Sequence, residues 1–373
     1  MTITGTPLFE GGPSADVIGA VVGGVIGAAA PDARRLDPVQ ATVVRALTKA
    51  MTGFTVQVDD VEPVDAAGLA GALAQETQPF RGRIMQVIVL AELILHPIPI
   101  EVAERVEEYA AALGVDENLV RVARRYAEGH LGLAAFDLRR TGYLERWTSD
   151  TAGALHTKTA LSEPFEVACV DPVLFDRWHA LEELPEGTLG RAVTDFYRAR
   201  GFVYPGRPES APPYLAQHDW VHCVGDYCSK LDGEFEVFGL IGRADPDPRG
   251  FTWIATIIGL FDTGYHDSEG NVFQADVTER WLEKPGMDVR LADAMRRGAI
   301  CGRDLMAIDY FTHAHRPLAE MPDVLGIPEK SPEAISAGST GPFDPDWRDA
   351  MSEFQHRAGR GPSSDPSAER ETA

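Results

Sequence analysis

Hydrophobic positions recur at helical spacing through much of this 373-residue chain. Residues 80–95 (FRGRIMQVIVLAELIL) are apolar almost all round, which predicts the central helix of a bundle. In residues 100–113, Val102, Ala103, Val106, Tyr109, Ala110 and Leu113 fall on one helical face, with charged residues opposite and Gly114 as the stop. Asp116 is placed to cap a following helix carrying Leu119, Val122, Ala123 and Tyr126, ending near Gly129. Residues 38–146 thus form one helical domain, preceded by a Gly-rich N-terminal segment, 1–37. In that segment the run 17–30 (VIGAVVGGVIGAAA) reads as a buried small-residue helix. It is too short to span a bilayer, and Glu10 and Asp16 precede it where a secretory signal needs basic residues. Peripheral membrane contact by this run is the other reading.

Over residues 147–184 the pattern weakens into Thr, Ser and Pro punctuation, which predicts a connection. A second helical domain spans 185–335. Its first helix is capped by Thr188, carries the stripe Leu189, Ala192, Val193 and Phe196, and ends at Gly201. The run 251–263 (FTWIATIIGLFDT) is buried in character but not assignable to helix or strand by periodicity, and 288–318 is again helical in character. Residues 336–373, rich in Gly, Ser, Pro and charge, predict a disordered tail. The fold class is mostly α: two helical domains and a tail.

The stretch LAELILHPIPIEVAERVEEYAAALGVDENLVRVARRYAEGH, with its LGVDENL turn, resembles the tellurite-resistance TerB-like helical domain over about 100 residues. The segment HPIPIE offers little ligand chemistry, so the resemblance implies an interaction or regulatory module.

The chain carries 57 acidic against 34 basic side chains, a formal net charge of −23. Such a field repels nucleic acid, which excludes it as a partner. The four cysteines, Cys169, Cys223, Cys228 and Cys301, show neither CxxC spacing nor a disulfide framework, which fits a reducing cytoplasm.

The chemistry concentrates in residues 218–236, HDWVHCVGDYCSKLDGEFE. On a helix turning about 100° per residue, with His218 at zero, His222 falls at about 40°, Asp226 at about 80° and Asp219 at about 100°. Tyr227, Trp220, Leu231, Val224, Cys228 and Val221 fill the opposite arc. Two imidazoles at i and i+4 can converge on one ion, with Asp219 supplying a carboxylate to the same side. Glu234 stands just beyond Gly233, where a helix break lets it swing back over that face. The donor set is nitrogen and oxygen, which suits Zn2+ but equally Mn2+ or Fe2+. Asp226 is the candidate for orienting a ligand or transferring a proton.

His-Asp, two residues, His, eleven residues, Glu resembles the motif of the ubiquinone (coenzyme Q) biosynthesis protein 4 homologues. The resemblance extends from TLGRAVTDFYRARGF to DLMAIDYFTHAHRPLAEMPDVLGI, about 140 residues. It implies a mostly helical fold, zinc held by His218, Asp219, His222 and Glu234, and a prenylated quinone precursor bound in an apolar cavity. It also implies oxidative removal of the ring carboxylate at C1, a lyase-type step, with a second copy of the chain or other quinone-biosynthesis proteins as partners. The segment 262–271 (DTGYHDSEGN) departs from the family as an insertion, and so does the TerB-like region.

Two other readings stay open. In one, the metal is structural and the chain is a non-catalytic lipid-binding scaffold. In the other, the His-Asp dipeptide belongs to an HD-type metal phosphohydrolase with His179 as a further ligand, although that fold uses neither His222 nor Glu234. His313 and His315, two apart, fall on opposite helix faces and His266 in a polar loop. Cys223 and Cys228 read as packing.

Overall fold

The computed structural model describes residues 3–8, 12–95, 97–115, 118–128, 156, 170–208, 210, 213–245, 250, 253–254, 257–258 and 280–344, and elements are numbered over these. The chain is mostly helical, as its periodicity predicts, and the described residues contain one two-stranded sheet.

Helix α1 (Ala15–Ala29) begins where the Ser14 hydroxyl accepts from the Val17 amide, and most of its length is buried. Its glycines permit this. A Cβ on Gly23 would stand 2.6 Å from the Glu62 carbonyl oxygen, and one on Gly27 2.3 Å from the Tyr109 hydroxyl. The run 17–30 is therefore a packed helix, and among the described residues no helix is long and apolar enough to cross a membrane.

Helix α2 (Pro38–Thr52) opens with a capping box between Asp37 and Gln40. It is followed by α3 (Ala66–Ala72), α4 (Gln78–Leu93), α5 (Ile100–Leu113) and α6 (Asn118–Ala127). The Gln40 amide donates to the carbonyls of Ala29 and Ala91, joining α1, α2 and α4 through one buried side chain. The predicted α5 face (Val102, Ala103, Val106, Tyr109, Ala110, Leu113) is buried in full, and Gly114 ends the helix in the left-handed region at φ 65°. Strands β1 (Ile3–Gly5) and β2 (Phe54–Val56) pair antiparallel, Ile3 opposite Val56.

The second half contains α7 (Pro172–His179), α8 (Leu189–Arg200), α9 (Pro213–Gly225), α10 (Leu231–Ala244), α11 (Met287–Cys301), α12 (Met321–Leu325) and α13 (Pro332–Ser336). Helices α10 and α11 pack at close range because both carry glycine at the crossing: a Cβ on Gly298 would lie 2.3 Å from the Leu240 carbonyl oxygen. The other side of α11 meets α2, where Arg45 pairs with Asp288 at 3.1 Å. Buried apolar residues run from Ile18 to Ile327 as one cluster. Each fully buried Val, Leu or Ile in it contributes ~1.5–3 kcal/mol.

Several expectations change. The segment 147–184 is not wholly irregular: Asp171 caps α7 within it by accepting from the Leu174 amide. Residues 288–318 are helical only to Cys301. Gly302, at φ 57°, stops α11, and short 3-10 turns follow at Leu305–Ala307, Tyr310–His313 and Leu318–Glu320. His313 and His315 therefore lie on no α-helix. The predicted tail begins too early, because residues 336–344 are built into the fold by hydrogen bonds from Cys228 and Arg200. Within the run 251–263, Trp253, Ile254, Ile257 and Ile258 are helical and buried. Asp116, Gly129, Cys169, His266, the segment 262–271 and residues 345–373 lie outside the described residues.

Candidate metal centre

Helix α9 carries His218, Asp219 and His222, and the first turn of α10 carries Glu234. The side chains meet as the motif predicts. His218, Asp219 and His222 each offer a ligand atom within 4.8 Å of the other two. Glu234 faces both imidazoles: Oε2 lies 3.3 Å from His218 Nε2, and Oε1 3.2 Å from His222 Nε2. Asp219 Oδ1 stands 3.7 Å from His218 Nε2. Ligand atoms bonded at ~2.1 Å around a tetrahedral ion lie about 3.4 Å apart, so these spacings suit one small divalent cation.

The centre is sunk in the protein: His222 is 0%, Asp219 5% and His218 9% exposed. His222 Nε2 is buried without a well-aligned hydrogen bond. A nitrogen left so is costly unless something binds its lone pair, and an ion would. Burial pushes the Asp219 carboxyl above its ordinary range, against the pull of His218 and His222. Burial also acts upward on Glu234, but the two facing imidazoles, His222 foremost, outweigh it and bring that carboxyl down to about 2.

Three of the four side chains, His222, Asp219 and His218, have neighbours that back them. His222 Nδ1 lies 3.2 Å from the Tyr227 carbonyl oxygen, which fixes the proton on Nδ1 and leaves Nε2 to face Glu234. The Phe196 ring on α8 stacks on the His222 imidazole at 5.2 Å, and the Arg200 guanidinium lies over the Phe196 ring at 3.6 Å. Arg200 also donates to Ser229 Oγ and, at 2.8 Å, to the Pro342 carbonyl. Burial pulls Arg200 down to about 10. Tyr197, one position after Phe196, donates its hydroxyl to Asp219 Oδ2 at 2.6 Å. Phe238 and then Trp253 lie beside His218, with ring centroids 5.1 and 5.5 Å apart in succession.

Residues 218–231 are not one continuous helix. Helix α9 ends at Gly225, Asp226 takes φ 59°, and the Tyr227 amide donates back to the His222 carbonyl, so the turn closes before α10 starts. Asp226 consequently leaves the ligand face: its side chain is 65% exposed and pairs with Lys330 Nζ at 3.3 Å. The helix break also precedes Gly233, which lies inside α10 against Cys228, and Glu234 reaches the histidines from a regular first turn. Cys223 and Cys228 are buried free thiols. His179 is exposed at the end of α7 and stacks on Phe175 at 6.0 Å, so it is not brought into the cluster. Tyr197 and Phe196 are the residues that the sequence reading missed. A tyrosine one turn beyond Val193 on a buried stripe signals a hydroxyl in need of a partner.

The fold and cluster define a mostly helical protein that, among its described residues, gathers two histidines and two carboxylates in a buried centre. Among solved structures, a Nostoc punctiforme protein provisionally named for ubiquinone biosynthesis is similar at 17% identity, covering 67% of this chain and 99% of that one, with a TM-score of 0.29. No protein-family model and no curated protein matches the chain.

Proposed function

We propose that this protein binds one divalent metal through His218, Asp219, His222 and Glu234 and acts on the ring carboxylate of a prenylated quinone precursor. The convergence of two imidazoles and two carboxylates at 3.2–3.7 Å in a buried setting carries the metal part of this reading. The motif's resemblance to the ubiquinone-biosynthesis proteins supports the substrate class, and so do the buried aromatic rings of Phe238, beside His218, and Trp253, beside Phe238.

Zn2+ in this set supplies Lewis acidity toward a carboxylate or phenolate, and Mn2+ or Fe2+ adds redox chemistry that zinc lacks. The chain's own residues prepare the place. The Tyr227 carbonyl sets the His222 tautomer, Phe196 fixes the imidazole plane, and burial keeps bulk water from the ligands. A scaffold reading is favoured by the same four ligands, which fill a tetrahedral ion and leave no open position. In that reading the protein presents the lipid to other quinone-biosynthesis proteins, peripherally at the membrane.

The test is metal analysis of the purified protein beside His222→Ala and Glu234→Ala, with solvent extraction and mass spectrometry of any bound prenylated lipid. Loss of carbon dioxide from a prenylated aromatic carboxylate is then followed with the metal-loaded protein. One ion per chain, lost in both variants, together with turnover, supports the catalytic reading. One ion with bound lipid and no turnover supports the scaffold. A folded protein that takes up no metal on reconstitution removes both.

A further inference from the structure

The two carboxylates of the centre are held in different ways. Glu234 turns one oxygen to each imidazole, Oε2 to His218 and Oε1 to His222. Asp219 instead turns Oδ1 to His218 at 3.7 Å, while its Oδ2 accepts the Tyr197 hydroxyl at 2.6 Å.

Tyr197 is itself fixed. It is 1% exposed and its ring is enclosed by Trp178 at 5.0 Å, Tyr204 at 5.5 Å and Phe202 at 5.6 Å. A ring packed on so many sides cannot swing its hydroxyl elsewhere without opening the aromatic cluster, so the hydrogen bond is imposed on Asp219 by the core. The neighbour on the same helix, Phe196, places the His222 ring, and α8 thus orients one ligand through each of two consecutive residues.

We propose that Tyr197 is a positioning residue that occupies one oxygen of Asp219 and so makes this aspartate a single-oxygen metal ligand. The proposal rests on the metal-binding reading above. Its consequence is a division of labour: Asp219 is fixed in direction and in the number of atoms it offers, while Glu234 keeps both oxygens facing the centre and is the ligand able to shift. A centre so restrained favours low coordination numbers, hence zinc over cations that prefer six oxygen-rich ligands.

The test compares Tyr197→Phe with Tyr204→Phe, a control in the same cluster whose hydroxyl bonds Glu182 at 2.7 Å instead. Affinity for Zn2+ is read by competition with a chromophoric chelator, and coordination number by the visible absorption of the Co2+-loaded protein, which falls as coordination rises above four. The expected result for Tyr197→Phe is a zinc affinity ~10–100-fold weaker, as for other residues that orient metal ligands, and a weaker cobalt band. Tyr204→Phe keeps both at the wild-type value. In an Asp219→Ala background the Tyr197→Phe loss disappears, because the hydroxyl then has no ligand to hold. Unchanged affinity and spectrum in Tyr197→Phe, or an undiminished loss in the Asp219→Ala background, overturns the proposal while leaving the metal reading in place. A wild-type protein that binds neither ion overturns both. Equal melting temperatures for the two Phe variants separate a site effect from a folding effect.

Discussion

His222 and Tyr227 are joined twice across the end of α9: the Tyr227 amide donates to the His222 carbonyl at 3.0 Å, and His222 Nδ1 returns to the Tyr227 carbonyl at 3.2 Å. The imidazole is thereby tied to the turn that leads to Glu234, and a disturbance of the turn reaches both helices of the centre. Gly233 tests this. A Cβ there would lie 2.1 Å from the Cys228 carbonyl oxygen, a backbone atom of the same turn. Gly233→Ala gains up to ~1 kcal/mol of helix propensity but forces the turn apart, which costs about 1–3 kcal/mol. The expected outcome is a net loss in denaturant titration together with reduced metal retention.

Asp226 gives the opposite expectation. Asn tolerates the left-handed backbone that Asp226 adopts, and the pair with Lys330 is exposed on the aspartate side. Asp226→Asn therefore costs no more than ~1 kcal/mol and leaves metal content and affinity unchanged. Metal analysis of the variant checks this. A large loss of affinity would return Asp226 to the centre.

Arg290 on α11 holds two acidic residues of α10, Asp232 at 2.6 Å and the fully buried Glu236 at 2.5 Å. Burial acts to raise the Glu236 carboxyl, and Arg290 opposes it. Arg290→Met strands that charge and is expected to cost ~3–5 kcal/mol. Adding Glu236→Gln recovers part of the loss, since the stranded charge is gone. Chemical denaturation of the single and double variants measures both effects.

Glu92 supplies a pH dependence away from the metal. It lies 1% exposed on α4, neither carboxylate oxygen has a hydrogen-bond partner, and burial pushes its pKa from 4.5 to about 8, with Glu107 adding to the rise and Arg124 opposing it. The folded protein keeps this proton over a range where the unfolded chain has lost it. This contribution to stability is intact below the unfolded value of 4.5, declines as pH rises by up to ~1.4 kcal/mol per unit, and levels off above about 8. Glu92→Met removes the decline, so the variant gains on the wild type by a few kcal/mol at most on moving from pH 5 to pH 8. Denaturant midpoints at the two pH values give the answer, and parallel profiles would contradict it.

The elements most legible in the sequence are those whose signal is local. The α5 stripe, the Thr188 cap and the Gly201 stop depend on neighbours three or four residues away, and each stands where the periodicity puts it. The convergence of His218, Asp219 and His222 on one side of α9 was legible for the same reason. Asp226 was misplaced because a helical wheel has no means of stopping: the left-handed backbone after Gly225 turns the Asp226 side chain off the predicted face, while Tyr227 and Cys228 stay buried. Tyr197 and residues 339–344 were missed because their roles depend on partners far along the chain, Asp219 in one case and the 227–229 turn in the other. Gly-rich α1 shows a related limit. Its composition indicates close packing, but only the fold supplies Glu62 and Tyr109 as the atoms that demand it.

The turn between α9 and α10 is finished by residues 340–342. Thr340 lends its carbonyl to the Cys228 amide, and Pro342 lends its own to Arg200. A ribosome adds roughly 5–20 residues per second, and folding proceeds from the N-terminal side as it does so. All four candidate ligands are therefore made seconds before the residues that clamp their connection. A nascent chain that stops short of Thr340 carries the four side chains on two helices whose joint is not yet secured.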